Sequence, residues 1–295
     1  MYRFSSSSNQ SAYRSHAPLS NEQIAYYAPS VLAVEAHESR GERYAFIPTI
    51  NVIDGLRANG FQPYEVRQTR VRDQGKRAHT KHLVRLRHAG AVGNNLEVPE
   101  IILLNSHDGS SSYQIMSGVF RFVCSNGLIA GNVHDDIRVR HTGNVVDNVI
   151  DASFRVLDAA KEVSDRIDTY KAIELSKPEQ LALATSALQL RYEPSEAPIV
   201  AGSLLNANRW ADRKDDLWTT FNRLQENLIK GGVRGRSATG RRMSTREVGG
   251  VNENVKLNKA LWTLADSMAA LKINQADDAF VARYEQAYEA SYDTV

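Results

Sequence analysis

Histidine and carboxylate side chains recur beside polar turns within one stretch, Asn105 to Asn144. They are His107, Asp108, His134, Asp135, Asp136 and His141. Imidazoles and carboxylates are common ligands of zinc, manganese and iron, so the set could form a hydrolytic metal site. The spacing matches no standard signature, and the sequence contains no H-E-x-x-H. Each pair falls where a strand should end, which favours backbone capping in turns, and no metal or other cofactor is expected.

The sequence offers little support for a nucleophilic active site. Cys124 is the single cysteine and follows an apolar run, a setting in which cysteine usually acts as a small buried hydrophobe. The serines near it form no G-x-S-x-G turn. A non-enzymatic protein is therefore favoured. One cysteine also excludes an internal disulfide and suits a reducing compartment, so the cytoplasm is the expected location.

The first concentration of positive charge lies on two segments predicted to form a β-hairpin, Phe61–Val71 and His82–His88. Its basic residues are Arg67, Arg70, Arg72, Lys76, Arg77, Lys81, Arg85 and Arg87. Residues two apart share a strand face, so we expect a basic face that follows a phosphate backbone. Phe61 and Tyr64 could stack on bases. The alternative is an ordinary solvated face of a half-buried sheet.

The second concentration lies in a glycine-rich segment between two predicted helices, residues 230 to 246. Its basic residues are Lys230, Arg234, Arg236, Arg241, Arg242 and Arg246, and the segment contains no acid. Arginine offers a bidentate fork to phosphate, and glycine lets the backbone approach closely. Long loops without structure are uncommon unless they are functional, so phosphate binding is favoured over a solvated connector.

The elements that position these residues change type along the chain. Residues 1–20 are serine-rich and predict a flexible tail, residues 21–144 predict a sheet-rich region, and residues 145–295 predict a helical region. An α+β fold is expected, with an antiparallel sheet-rich N-terminal half packed with a helical C-terminal half. The predicted strands are Phe61–Val71, His82–His88, Glu100–Leu104, Tyr113–Val123 and Ile137–His141.

Helical periodicity and capping residues predict the helices. The predicted helices are Asn21–Tyr27, Pro48–Asn59, Asn144–Leu175, a helix that begins at Lys177, Leu217–Leu228, Leu257–Leu271, and a last short helix at Phe280–Tyr288. In the helix that begins at Lys177, we expect Leu181, Ala184 and Leu188 to face inward. No run approaches the roughly 20 apolar residues that a membrane span needs, so no membrane association is expected.

Several short motifs resemble a known family. They are Ser106–Ser110, Val123–Leu128, Ile137–Gly143, Phe221–Asn227 and Asn258–Trp262. These motifs resemble the phage/plasmid-like family catalogued as domain of unknown function 932, over most of Thr49–Leu271. The resemblance implies a gene from a prophage, plasmid or related mobile element, and it implies no activity. In outline, the predicted order of elements is also similar to the core of phage single-strand annealing proteins.

Three functional hypotheses follow. The first is a non-enzymatic protein that binds nucleic acid, with single-stranded DNA favoured, in recombination or replication. The second is a protein-interaction factor that antagonises a host defence system. The third is a metal-dependent nuclease built on the histidine and aspartate set. The expected partners are accordingly nucleic acid, a host protein complex and further copies of the chain.

Overall fold

A computed structural model of the chain describes residues 11–41, 44–91, 97–122, 126–130, 137–139, 151–152, 154–156, 160–237 and 239–292. The chain divides into two compact units. The first unit combines the chain up to Val163 with Val248–Lys259. The second unit combines Ser164–Glu247 with the chain from Ala260 onward.

The first unit is built on an antiparallel sheet. Its strands are β1 (Ala12–Arg14), β2 (Phe61–Gln68), β3 (His82–His88), β4 (Glu97–Asn105), β5 (Tyr113–Arg121), β6 (Asn126–Ile129) and β7 (Ile137–Val139). They pair in chain order from β1 to β6, and β7 also pairs with β5. Two helices belong to the same unit, α1 (Asn21–Tyr27) and α2 (Thr49–Ala58). Each strand therefore pairs mainly with its neighbour in sequence.

The two faces of this sheet differ in chemistry. Side chains such as Val84, Leu86 and Ile101 pack in one apolar cluster with Ile24 of α1 and Ile53 of α2. On the other face a smaller apolar cluster is completed by two residues from the start of a C-terminal helix. Its members are Leu83, Ile102, Leu104, Met116, Ile129, Val251 and Val255. The rest of that second face carries charged side chains, described below.

The second unit is helical. It contains most of α3 (Ala160–Ala172), all of α4 (Lys177–Gln189) and α5 (Leu217–Lys230), and most of α6 (Val251–Tyr292). It also contains a two-stranded sheet of β8 (Arg234–Arg236) and β9 (Arg242–Ser244). Asp216 caps α5 by accepting a 2.7 Å hydrogen bond from the amide of Thr219. Phe221 on this buried helix meets Trp262 edge to face, with ring centroids 5.9 Å apart.

The α+β fold class is confirmed, and several details are corrected. The flexible-tail prediction does not hold for Ala12–Arg14, because these residues pair with β2 as an edge strand. The two helices expected after Val251 are one continuous helix, α6. Leu181 was expected to face inward, but it is exposed on α4. The boundary predicted at residue 144 lies outside the described residues. No helix in the described part of the chain is long and apolar enough to cross a membrane.

Candidate nucleic-acid interface

The predicted basic face of the β2–β3 hairpin is buried. Arg85 is 2% exposed and Arg87 is fully buried, although both were expected on an outer surface. Arg85 Nη1 donates to Glu100 at 2.7 Å, and Arg87 Nε donates to the same carboxylate at 2.8 Å. The prediction that these two arginines contact phosphate is therefore wrong. They compensate charge inside the protein instead.

Glu65 holds the other half of this network. It accepts hydrogen bonds from Arg14 and Arg67, each at 2.6 Å, and lies 3.7 Å from Arg85. Burial alone would raise the pKa of Glu65, but the three arginines outweigh it and hold the pKa well below 4.5. Arg67 also donates to the carbonyl of Val248 at 3.5 Å. It is thus engaged within the first unit.

A glycine makes room for Arg85. The guanidinium donates to the backbone carbonyls of Gly127 and Leu128, both at 3.1 Å.

The aromatic residues of the hairpin are also internal, since Phe61 and Tyr64 are each 3% exposed. Tyr64 lies against Arg87, with the guanidinium carbon 4.6 Å from the ring centroid. The prediction that Phe61 and Tyr64 stack on bases is wrong for this buried arrangement.

The loop between β2 and β3 keeps part of the predicted basic set at the surface. Arg70, Arg72 and Lys76 are exposed, and Arg77 is half-buried. Lys81 donates to Asn252 at 2.9 Å, and partial burial lowers its pKa. This loop borders a cavity of about 500 Å³, lined by the carboxylates of Glu35, Glu38 and Asp73, the imidazoles of His37 and His79, and the ammonium group of Lys76. The negative charge of those carboxylates lowers the attraction of the loop for an anion.

The glycine-rich segment of residues 230 to 246, called the Arg/Gly segment below, was predicted as a loop but forms a β-hairpin in the second unit. In its register Arg236 lies directly opposite Arg242, and Arg234 lies opposite Ser244. Cross-strand partners share a face, as do residues two apart, so all three arginines lie on one face. The opposite face carries Gly235, where an added Cβ would lie 2.7 Å from Ile199. The hairpin therefore rests its glycine face on the unit and presents its arginines outward.

The arginines of this face have no acidic partner among the described residues. Arg234, Arg236 and Arg242 are exposed, and within the described residues none of them forms an ion pair. The side chain of Arg236 donates to the carbonyl of Gly240 in the turn, at 2.9 Å. Arg241 and Arg246 are exposed beside them. Lys230 differs, because it donates to Glu226 at 3.0 Å. Within the described residues, the set of arginines without an ion pair is thus smaller than the predicted basic set.

The histidine and aspartate set is only partly described. His134, Asp135, Asp136 and His141 lie outside the described residues, as does Cys124. His107 is buried, with its ring 5.1 Å from that of His82. Asp108 accepts a 2.9 Å hydrogen bond from the amide of Ser110, as expected for a turn. Burial opposes ionisation of Asp108, but this bonding outweighs it and lowers the pKa. Among the described residues, no group of three or more potential ligands is placed to hold a metal ion.

One exposed aromatic residue was missed by the sequence interpretation. Trp210 is 80% exposed, in a short 3-10 turn, Trp210–Asp212. Arg213 lies over its ring, with the guanidinium carbon 4.8 Å from the ring centroid. The sequence does contain a signal, because Trp210 is flanked by Arg209 and Arg213 with no apolar periodicity around it. Tryptophan next to arginine in a loop is a pattern that could have marked this residue.

Comparisons with known proteins agree on one family. The family model described as Domain of unknown function (DUF932) matches residues 36–262. Two Escherichia coli (strain K12) proteins, UPF0380 protein YafZ and UPF0380 protein YfjQ, are each 48% identical over 255 residues, which cover 86% of this chain and 93% of each relative. No solved structure matches. The chain therefore belongs to the family of the domain of unknown function 932.

Proposed function

We propose that this chain is a non-enzymatic protein that binds single-stranded DNA during recombination or replication of a mobile element. The observation that supports the proposal best is the arginine face of the β8–β9 hairpin. Because Arg85 and Arg87 are buried, we do not place the proposed DNA contact on the β2–β3 hairpin. The proposed site is therefore the hairpin surface of Arg234, Arg236 and Arg242, with Arg241 and Arg246 beside it.

The register of this hairpin supports an anionic ligand. Arg236 lies directly across from Arg242, and like charges at directly opposed positions destabilise a sheet. A two-stranded hairpin has little stability to spare. A phosphate bound between the two guanidinium groups would remove this repulsion and accept hydrogen bonds from both forks. The hairpin would thus gain stability when a nucleic-acid backbone binds.

The direct test is a titration of a labelled oligonucleotide, followed by fluorescence anisotropy at several salt concentrations. The wild-type protein should bind, and its affinity should fall steeply as salt rises. In a variant carrying Arg234→Ala, Arg236→Ala and Arg242→Ala, the slope of log affinity against log salt should become shallower by about 2. Each phosphate contact on a single strand contributes about 0.7 to that slope, and three contacts are lost.

A charge-matched control keeps the test specific. Arg166, Lys171 and Lys177 are exposed residues of the same unit, each paired with an acid. Changing all three to alanine removes the same charge but should leave the salt slope close to that of the wild-type protein. Equal losses in both triple variants would show non-specific attraction. Absence of salt-dependent binding by the wild-type protein would contradict the proposed function and favour a protein-interaction role.

A further inference from the structure

We infer that Trp210 is a base-stacking position for single-stranded nucleic acid. This inference rests on the proposed function and deepens it, because it identifies an unpaired base as a second group of the ligand that the protein contacts. The arginine face of the hairpin offers contacts to phosphate, which single and double strands both carry. An exposed indole offers contact to a base face, which only an unpaired strand leaves open.

The exposure of Trp210 sets it apart from the other tryptophans. Trp218 is 2% exposed and Trp262 is fully buried, whereas Trp210 is 80% exposed. Burial of a large aromatic ring is strongly favourable, and an indole exposed to water has not yet gained this free energy in folding. A ligand that covers the ring would therefore gain it on binding. A nucleobase has a flat π-face of similar size and can recover it by stacking.

Arg213 prepares the ring for such a ligand. Its guanidinium carbon lies 4.8 Å from the ring centroid of Trp210. Arg213 itself is exposed, so its charge lies at the surface beside the indole. A base stacked on the remaining ring surface would bring its phosphate near this positive charge. The pair therefore combines an aromatic contact with an attraction for an anion.

The loop that carries Trp210 is fixed to helix α5. Arg209 donates to both carboxylate oxygens of Glu226, at 2.7 and 2.6 Å, and also to Asp212 at 2.9 Å. Asn227 donates to the carbonyls of Leu204 and Asn206, at 2.8 and 3.0 Å. Because these contacts fix the loop, the backbone that carries the Trp210 ring loses little conformational freedom on binding, which favours affinity.

One carboxylate links this loop to the arginine hairpin. Glu226 accepts from Arg209, the residue before Trp210, and from Lys230, where the Arg/Gly segment begins. The loop and the base of the hairpin are thus joined through a single side chain at the end of α5. A strand whose phosphates lie on the hairpin face could place a base on Trp210 within the same unit.

The experiment compares two probes of equal length, a thymidine oligonucleotide and the same backbone made of abasic sites. Trp210→Ala should weaken binding of the thymidine probe by roughly 5- to 150-fold, the range for one base on an aromatic ring. It should leave affinity for the abasic probe unchanged. Trp210→Phe should keep most of the wild-type affinity, because it retains a ring. The thymidine probe should also quench wild-type tryptophan emission more than the abasic probe does.

The outcomes separate this inference from the proposed function. Equal affinity of wild type and Trp210→Ala for the thymidine probe would overturn the stacking role and leave the hairpin contact intact. Absence of binding to both probes by the wild-type protein would overturn both. Loss of the native emission of the buried Trp218 and Trp262 would reveal misfolding of Trp210→Ala, and the test would then rest on Trp210→Phe and on the quenching difference.

Discussion

The guanidinium carbon of Arg87 lies 3.4 Å from the ring centroid of Phe120, in the interior of the first unit. Its Nε donates to Glu100, which also accepts from Arg85. Burial lowers the pKa of Arg87, and Glu100 opposes that effect. A cation stacked on an aromatic face and paired with a buried carboxylate tolerates burial that an isolated charge would not.

Replacement of Glu100 by glutamine should be strongly destabilising. The change leaves Arg85 and Arg87 without their shared buried carboxylate, so the free energy of unfolding should fall by about 3–5 kcal/mol. Urea titration followed by circular dichroism measures the difference. Asp54→Asn is the control, because Asp54 is 56% exposed in its pair with Arg57, and its loss should be below about 1 kcal/mol. Similar losses for the two variants would contradict a structural role for the buried network.

Stability should depend on pH through His82. Burial lowers the pKa of this imidazole from 6.5 to about 4. The unfolded chain therefore binds the proton at a higher pH than the folded chain does. Stability should fall as the pH is lowered from about 6.5 to about 4, by up to about 3 kcal/mol. Thermal melts at several pH values measure this decline.

His82→Gln should flatten that decline, even if its stability at neutral pH is lower. The ring nitrogens of His82 contact the hydroxyl of Thr49 at 2.8 Å and the carbonyl of Thr80 at 3.2 Å, which suits the neutral ring. His16→Gln changes an exposed histidine and should keep the wild-type profile. A profile for His82→Gln that parallels the wild type between those pH values would refute the assignment.

Two adjacent glycines at the start of the Arg/Gly segment should respond differently to alanine. Gly231 and Gly232 both have positive φ, +65° and +77°. At Gly232 an added Cβ meets nothing within 4 Å, so Gly232→Ala should cost only about 1–2 kcal/mol for the left-handed backbone. At Gly231 it would collide with the backbone of Arg246, which should add roughly 1–3 kcal/mol. Urea titrations compare the two, and equal costs would disprove the close packing.

Lysine substitutions should separate charge from geometry on the hairpin. A variant with Arg234→Lys, Arg236→Lys and Arg242→Lys keeps the net charge but loses the bidentate forks. Its salt slope should match that of the wild-type protein, while its affinity for single-stranded DNA should be lower at every salt concentration. Anisotropy titrations measure both quantities. An affinity equal to that of wild type would indicate that the arginines act as point charges.

The alternation of apolar and basic residues predicted where the strands lie. It did not predict whether each strand face is buried or exposed. The prediction for β3, His82–His88, matches the structure at both ends. The same pattern placed Arg85 and Arg87 on one face, which is correct, but could not show that this face is buried. Their partner Glu100 lies on β4, and such non-local pairing is not visible in the local periodicity of a single strand.

Other differences have local causes. The Arg/Gly segment lacks apolar alternation, so its pairing as β8 and β9 depends on turn geometry, including Gly240 at φ +79°. The sequence between Leu271 and Phe280 contains no glycine or proline, so nothing ends the helix there and α6 continues. For the candidate site, composition predicted an arginine-rich loop at residues 230 to 246 but not its pairing as a hairpin. Trp210 belongs to no periodic pattern, and its exposure required the structure.

The contact between Arg85 and Gly127 has an evolutionary consequence. An added Cβ at position 127 would lie 2.8 Å from Nη1 of Arg85 and 2.9 Å from its guanidinium carbon. A larger side chain at position 127 therefore requires the guanidinium group at position 85 to move or to be absent. Among relatives of this chain, a larger residue at the position of Gly127 should occur only together with a shorter side chain at the position of Arg85, so the two alignment columns should covary.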